Sequence, residues 1–215
     1  MKVGIFGGTF DPPHLAHLQV ARAARDRLHL GLLEVIPCAV PPHRGEPRAD
    51  GWDRFAMVAM TFAGEERVLP SARELRRGGV SYTVDTLEEI AAERPGDEIY
   101  LVLGADSYDD LPWWKNAGRI LELAHLAVAA RPGSFGLERL RPEDRERLRP
   151  PGDPPPPGRR GIYRIPMDPV PIAARRIRDR IARGDLPRED LHPAVQRYIL
   201  ARGLYGPAGP EGGHG

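Results

Sequence analysis

Residues 7–17 of this 215-residue chain read Gly-Gly-Thr-Phe-Asp-Pro-Pro-His-Leu-Ala-His, a run of residue types suited to holding a polyphosphate. A helix that starts near His14 places His14 and His17 on its first turn, one ring above the other. Gly7 and Gly8 remove the Cβ atoms that would keep a phosphate away from backbone N–H groups. Asp11-Pro12-Pro13 fixes the approach to the helix. Free N–H groups at a helix amino terminus, a glycine-rich approach and two imidazoles together make an anion site. Taken singly, each residue has a plainer reading, because a Gly pair is often only a turn and a lone histidine is usually structural. The combination, set between a strand and a helix, carries the phosphate reading.

The elements that must position these residues follow from apolar patterning. Val3-Gly4-Ile5-Phe6 reads as a buried first strand. Leu15, Leu18, Val20, Ala21 and Ala24 repeat roughly at helical spacing and predict a helix over 15–28. A second strand is expected over 33–39, and helices over 53–62 and 83–93, the latter stopped by Pro95-Gly96. Ile99 to Leu103 is the clearest central strand and runs into Gly104-Ala105-Asp106. Strands over 126–130 and 162–165 and helices over 173–183 and 194–202 complete the series. This alternation predicts an α/β fold with a central parallel sheet and helices on both faces. Each strand end is followed by a candidate site residue, as expected where ligands bind at the carboxyl ends of strands. Residues 1–206 read as one domain. Within it, 133–160 is Pro- and Arg-rich and reads as a solvated loop insertion, and 207–215 reads as a flexible tail.

Composition excludes several classes. There are 31 basic and 30 acidic residues, a net charge of +1, so no bulk nucleic-acid partner is expected. Cys38 is the only cysteine, which leaves no intrachain disulfide and no cysteine-based zinc site. No apolar run approaches about 18 residues, and no signal-peptide pattern is present, so a cytoplasmic protein without a membrane partner is expected. The sequence does not set the oligomeric state, and a homo-oligomer is allowed.

Residues 7–17 resemble the signature of the nucleotidyltransferase superfamily, whose members carry His-x-Gly-His at this turn. Within it the chain is most similar to the bacterial nicotinate-nucleotide adenylyltransferase family, with Ala16 standing where that family has Gly. Pro41-Pro42-His43-Arg44, the stretch Gly79 to Leu87 (Gly-Val-Ser-Tyr-Thr-Val-Asp-Thr-Leu), and Gly104-Ala105-Asp106 followed by Trp114 extend the resemblance. So do Arg131-Pro132-Gly133, Tyr198-Ile199 and Leu204-Tyr205-Gly206. The resemblance implies a Rossmann-like nucleotidyltransferase fold. It implies transfer of the adenylyl group of ATP to nicotinate mononucleotide with release of pyrophosphate, and Mg²⁺ bridging the phosphates. His17 would contact the α-phosphate and His14 would orient the phosphates. Gly7, Gly8, Thr9 and Phe10 would supply contacts to ATP, and Arg44 and Arg178 would neutralise its charge. Tyr82, Thr83, Asp106 and Trp114 would hold the second substrate, an aromatic face suiting the planar pyridine ring.

One stretch departs from the family. Where its members read Ile-Ser-Ser-Thr-x-Ile-Arg, this chain reads Ile172-Ala173-Ala174-Arg175-Arg176-Ile177-Arg178. Three hydroxyls are missing, and hydrogen bonds to charged groups are worth about 1.5–3 kcal/mol each. Arg175 offers a compensating guanidinium, which can grip a phosphate through two parallel bonds. Two further readings stay open: an adenylyltransferase with another phosphorylated acceptor such as phosphopantetheine, and a nucleotide-binding homologue without turnover. An NAD(P)-dependent oxidoreductase fits poorly, since glycines at 4, 7 and 8 do not form Gly-x-Gly-x-x-Gly.

Overall fold

The computed structural model describes the chain except for residues 43–44, 131–139, 169–170 and 207–215. Its described strands form one sheet: β1 (Lys2–Gly8), β2 (Leu32–Pro37), β3 (Val68–Pro70), β4 (Glu98–Gly104), β5 (Ala124–Ala130), β6 (Leu148–Arg149) and β7 (Ile162–Pro166). The order is β3-β2-β1-β4-β5-β7-β6, with every pairing parallel and β4 in the middle. This is the expected α/β architecture.

Side chains alternate across β4, so its continuous apolar run feeds two cores. Ile99, Leu101 and Leu103 join Val3, Ile5, Leu126 and Val128 beneath helices α4 (Thr83–Glu93), α5 (Ala105–Asp110) and α6 (Ala117–Leu123). Tyr100 and Val102 face the other way. They join Phe6, Leu33, Val35, Ala127, Tyr163 and Ile165 beneath α1 (Leu15–Leu28) and α2 (Gly51–Thr61). A third cluster, with Met57, Ile177, Ile181, Val195 and Ile199, ties α2 to α7 (Ala174–Ala182) and α8 (Pro193–Arg202).

The long elements fall where patterning puts them, α1 and α4 with the expected bounds. The short ones were not foreseen: β3, the five-residue helix α3 (Arg73–Arg77), α5 and α6. The described part of the 133–160 stretch is largely exposed, with a buried exception. It contains a 3₁₀ turn, Pro142–Arg147, followed by β6. Asp144 is completely buried there, bonded to Tyr108 Oη at 2.9 Å and to the guanidinium groups of Arg141 and Arg147. Composition marks such a segment as solvated because it cannot reveal that charges are paired in the interior. Among the described residues, no helix is long and apolar enough to cross a membrane.

Candidate active site

At the carboxyl end of β1 the two glycines do different work. A Cβ on Gly7 would meet nothing within 4 Å, whereas one on Gly8 would stand 3.0 Å from the Phe10 ring. Gly7 alone fits the expectation of open backbone, and Gly8 is small so that Phe10 can fold back. Phe10 adopts φ +50°, a conformation costly for a bulky residue. Its buried ring, edge-on to Phe6 at 5.5 Å and to His17 at 4.9 Å, holds it there.

His14 caps α1 with an extended backbone (φ −144°), and His17 follows on the first turn. Their rings stack with centroids 3.7 Å apart and planes at 25°. The His14 backbone N–H donates to His17 Nδ1 at 3.1 Å. An accepting Nδ1 carries no proton, so the neutral ring holds its proton on Nε2 and presents a donor there. Burial lowers the His14 pKa to about 4, and burial together with the His14 charge lowers that of His17 well below its usual value. Both rings are therefore neutral at physiological pH. Imidazole ¹⁵N shifts of His14 and His17 are expected to keep neutral-form values at about pH 5.5, where an unperturbed histidine is mostly protonated. The linked stability is fully present above about pH 6.5. It is lost as pH falls towards 4, because the unfolded chain then binds the extra protons.

Around this pair, Asp11 ties four segments together. Its buried carboxylate accepts from the backbone N–H groups of Arg48 (2.9 Å) and Ala49 (3.1 Å) and from Tyr205 Oη (2.8 Å). Arg178 of α7 donates through Nη1 to the Asp11 carbonyl at 2.6 Å and lies 3.6 Å from its carboxylate. Its Nε is buried without a partner, as is His14 Nδ1. Arg175, on the first turn of α7, is exposed with Asp179 4.0 Å away. Ala173 provides no side-chain cap for that helix. Arg44 lies outside the described residues.

The remaining candidates occupy the same edge of the sheet. Ala39 N–H donates to Ser81 Oγ and Ser81 N–H to Val40 O, both at 2.9 Å, which joins the segment after β2 to the start of α4. Tyr82 caps α4 and Thr83 begins it. Lys115 Nζ lies 4.4 Å from the Tyr82 ring centre and 3.0 Å from Asp85 Oδ1. Asp106, exposed on the first turn of α5, stands two residues after β4. Trp114 leaves a 3₁₀ turn, Leu111–Trp113, and packs half-buried on the core that Tyr82 also meets, while Trp113 is exposed. Ring contacts gather Phe10, His14 and His17, and Asp11 ties Arg178 to the same turn. Strand topology places Tyr82, Thr83, Asp106 and Trp114 at the same carboxyl edge.

Residues 5–180 match the cytidylyltransferase-like family. An Aeromonas hydrophila protein named "Probable nicotinate-nucleotide adenylyltransferase" is 38% identical, over 96% of this chain and 98% of its own length. One of the same name from Chromobacterium violaceum is 41% identical, over 95% and 98%. The chain belongs to the nicotinate-nucleotide adenylyltransferase family. A solved structure of Plasmodium falciparum nicotinic acid mononucleotide adenylyltransferase complexed with NaAD shares the fold. Its TM-score is 0.74 at 17% identity, covering 95% of this chain and 97% of that one.

Within this adenylyltransferase framework, sequence reading missed two residues that hold the site. Arg54 is 1% exposed and donates to the carbonyls of Thr9, Cys38, Ala39 and Ala49. The spacing contained a signal: Arg54 falls on the buried face of α2 with Met57, Val58 and Thr61, where a cation must find partners. Tyr205, bonded to Asp11 from 194 residues away, stood in the Leu204-Tyr205-Gly206 stretch of the resemblance, with nothing in its spacing to pair it with Asp11.

Proposed function

We propose that the chain transfers the adenylyl group of ATP to nicotinate mononucleotide, giving nicotinate adenine dinucleotide and pyrophosphate. One observation carries this reading beyond family membership. Among the described residues three buried side-chain nitrogens lack a hydrogen-bond partner, and two of them, His14 Nδ1 and Arg178 Nε, flank the Gly-Thr-Phe-Asp turn. Leaving such groups unpaired costs free energy that phosphate oxygens would recover.

In this reading the mononucleotide phosphate oxygen attacks the α-phosphorus of ATP as the bond to pyrophosphate breaks. No protein nucleophile takes part. The chain contributes position and charge. His17 Nε2–H donates to an α-phosphate oxygen, and His14 and Arg178 hold neighbouring oxygens. Gly7 leaves room for the nucleotide, Gly8 lets Phe10 fold back beside Thr9, and Arg175, with Arg44 assigned on the resemblance alone, would neutralise the outer phosphates. Tyr82 and Trp114 offer aromatic faces to the pyridine ring, with Thr83 and Asp106 as polar contacts. Among the described residues no three His, Cys, Asp or Glu converge on a metal position. Mg²⁺ would enter with the ATP and would neutralise charge on the transferring group.

The test is pyrophosphate release from MgATP with nicotinate mononucleotide, nicotinamide mononucleotide and phosphopantetheine in parallel. Turnover with nicotinate mononucleotide above the other two is expected. ATP binding without turnover for any acceptor would favour the non-catalytic reading, which the uncapped Ala173-Ala174 start of α7 supports. Arg175→Ala is expected to raise KM for ATP about tenfold with little change in melting temperature, since the side chain is exposed.

A further inference from the structure

The third unpartnered nitrogen, Arg147 Nη2, belongs to the opposite end of the molecule. It lies near the amino ends of β4, β5 and β7. The length of a seven-residue strand separates that end from the histidine pair, about 20 Å. Arg147 closes the Pro142–Arg147 turn. Its Nη1 pairs with Asp144 at 3.0 Å and its Nε donates to the carbonyl of Arg160 at 2.8 Å. Beside it stands His125, 1% exposed and stacked on Tyr100 with ring centres 4.7 Å apart.

The hydrogen bonds of His125 fix its tautomer. Gly161 N–H donates to Nδ1 at 2.9 Å, so the neutral ring carries its proton on Nε2. Burial and the neighbouring Arg160 keep the ring neutral, with a pKa lowered to about 4. Arg160 Nη1 lies 3.4 Å from that same Nε2. Two N–H donors thus face each other, next to a third donor in Arg147. The three side chains line one depression of about 800 Å³, together with Arg141, Arg159 and the Pro155–Pro157 segment.

Of the carboxylates around it, Asp144 and Glu122 are engaged in short contacts. Asp144 is taken by Tyr108, Arg141 and Arg147. Glu122 pairs with Arg119 at 2.9 Å, Glu98 accepts from Tyr100 Oη at 3.4 Å, and Glu143 is exposed 4.0 Å from Arg141. What remains is Arg147 Nη2 without an acceptor, beside the facing nitrogens of His125 and Arg160, whose Nε already donates to the Glu122 carbonyl. We propose that this depression is a second oxyanion site, in which Arg147, Arg160 and His125 together bind a phosphate group. An oxygen between His125 Nε2–H and the Arg160 guanidinium replaces a donor–donor clash with two charge-assisted bonds. Bound phosphate would also clamp the Pro-rich segment to β5 and to the Pro142–Arg147 turn. The site does not depend on the adenylyl-transfer reading.

The test uses the full chain labelled with ¹⁵N-histidine, titrated with inorganic phosphate at constant ionic strength and, in a second arm, with AMP. A saturable shift of His125 Nε2 is expected, read separately from the His14 and His17 signals. Arg160→Gln should weaken it about tenfold, and Arg147→Lys provides a second variant should either perturb folding. Saturation by phosphate would assign the site to the free anion, and saturation by AMP alone to a nucleotide-borne phosphate. Shifts confined to His14 and His17, or variants that titrate like the parent, would overturn the proposal.

Discussion

His17→Ala is expected to lower kcat for adenylyl transfer by about 10²–10³, the usual cost of removing one preorganised donor from a developing oxyanion. Effects on KM for ATP should be smaller, because a transition-state contact is lost more than a ground-state one. The substitution also removes the acceptor for the His14 N–H, a helix-start contact worth about 0.5–2 kcal/mol. His17→Gln separates the two losses. A glutamine at this third helical position can reach back to the capping N–H, as in a capping box, but it lacks a ring donor fixed by stacking on His14. The melting temperature should therefore recover in His17→Gln while kcat stays low. Recovery of both would assign His17 to helix capping and remove it from the chemistry.

The same contrast between near and distant partners separates what was legible in the sequence from what was not. The bounds of α1 and α4 could be read because each carries its own apolar repeat and stop. β4 could be read because a strand buried on both faces is apolar throughout. β3 has only three residues on the sheet edge, with Leu69 exposed, too short for any period to register. At the site, the Gly-Gly, the histidine pair and Asp11 stood together in one motif. The reason for Gly8 did not, because it lies in where the Phe10 ring returns. Arg178 was visible as a charge beside a helix start, yet its anchorage on Asp11 joins positions 167 residues apart. The paired charges around Asp144 were hidden by a Pro- and Arg-rich composition that ordinarily marks solvated chain.

The largest loss of stability is expected from Arg54→Met. Among the described residues the buried Arg54 guanidinium meets carbonyl oxygens: Thr9 and Cys38 at 2.7 Å, Ala39 at 3.1 Å and Ala49 at 3.2 Å. These belong to the turn after β1, the segment after β2 and the residue before the α2 cap. Methionine matches much of the volume but leaves the carbonyls buried and unpaired. Removing one side of a buried charged network costs about 3–5 kcal/mol, a large share of a typical domain stability of 5–15 kcal/mol. Urea unfolding should show a lower midpoint with an unchanged slope. Arg54→Lys should recover only part of the loss, since a single ammonium cannot span carbonyls arranged for a planar fork. Activity should fall beyond what the unfolded fraction explains, because Thr9 sits between Gly8 and Phe10, and Ala49 N–H holds the Asp11 carboxylate. Wild-type turnover per folded molecule in Arg54→Met would mean that the turn after β1 keeps its shape without the guanidinium, and that the role of Arg54 ends with stability.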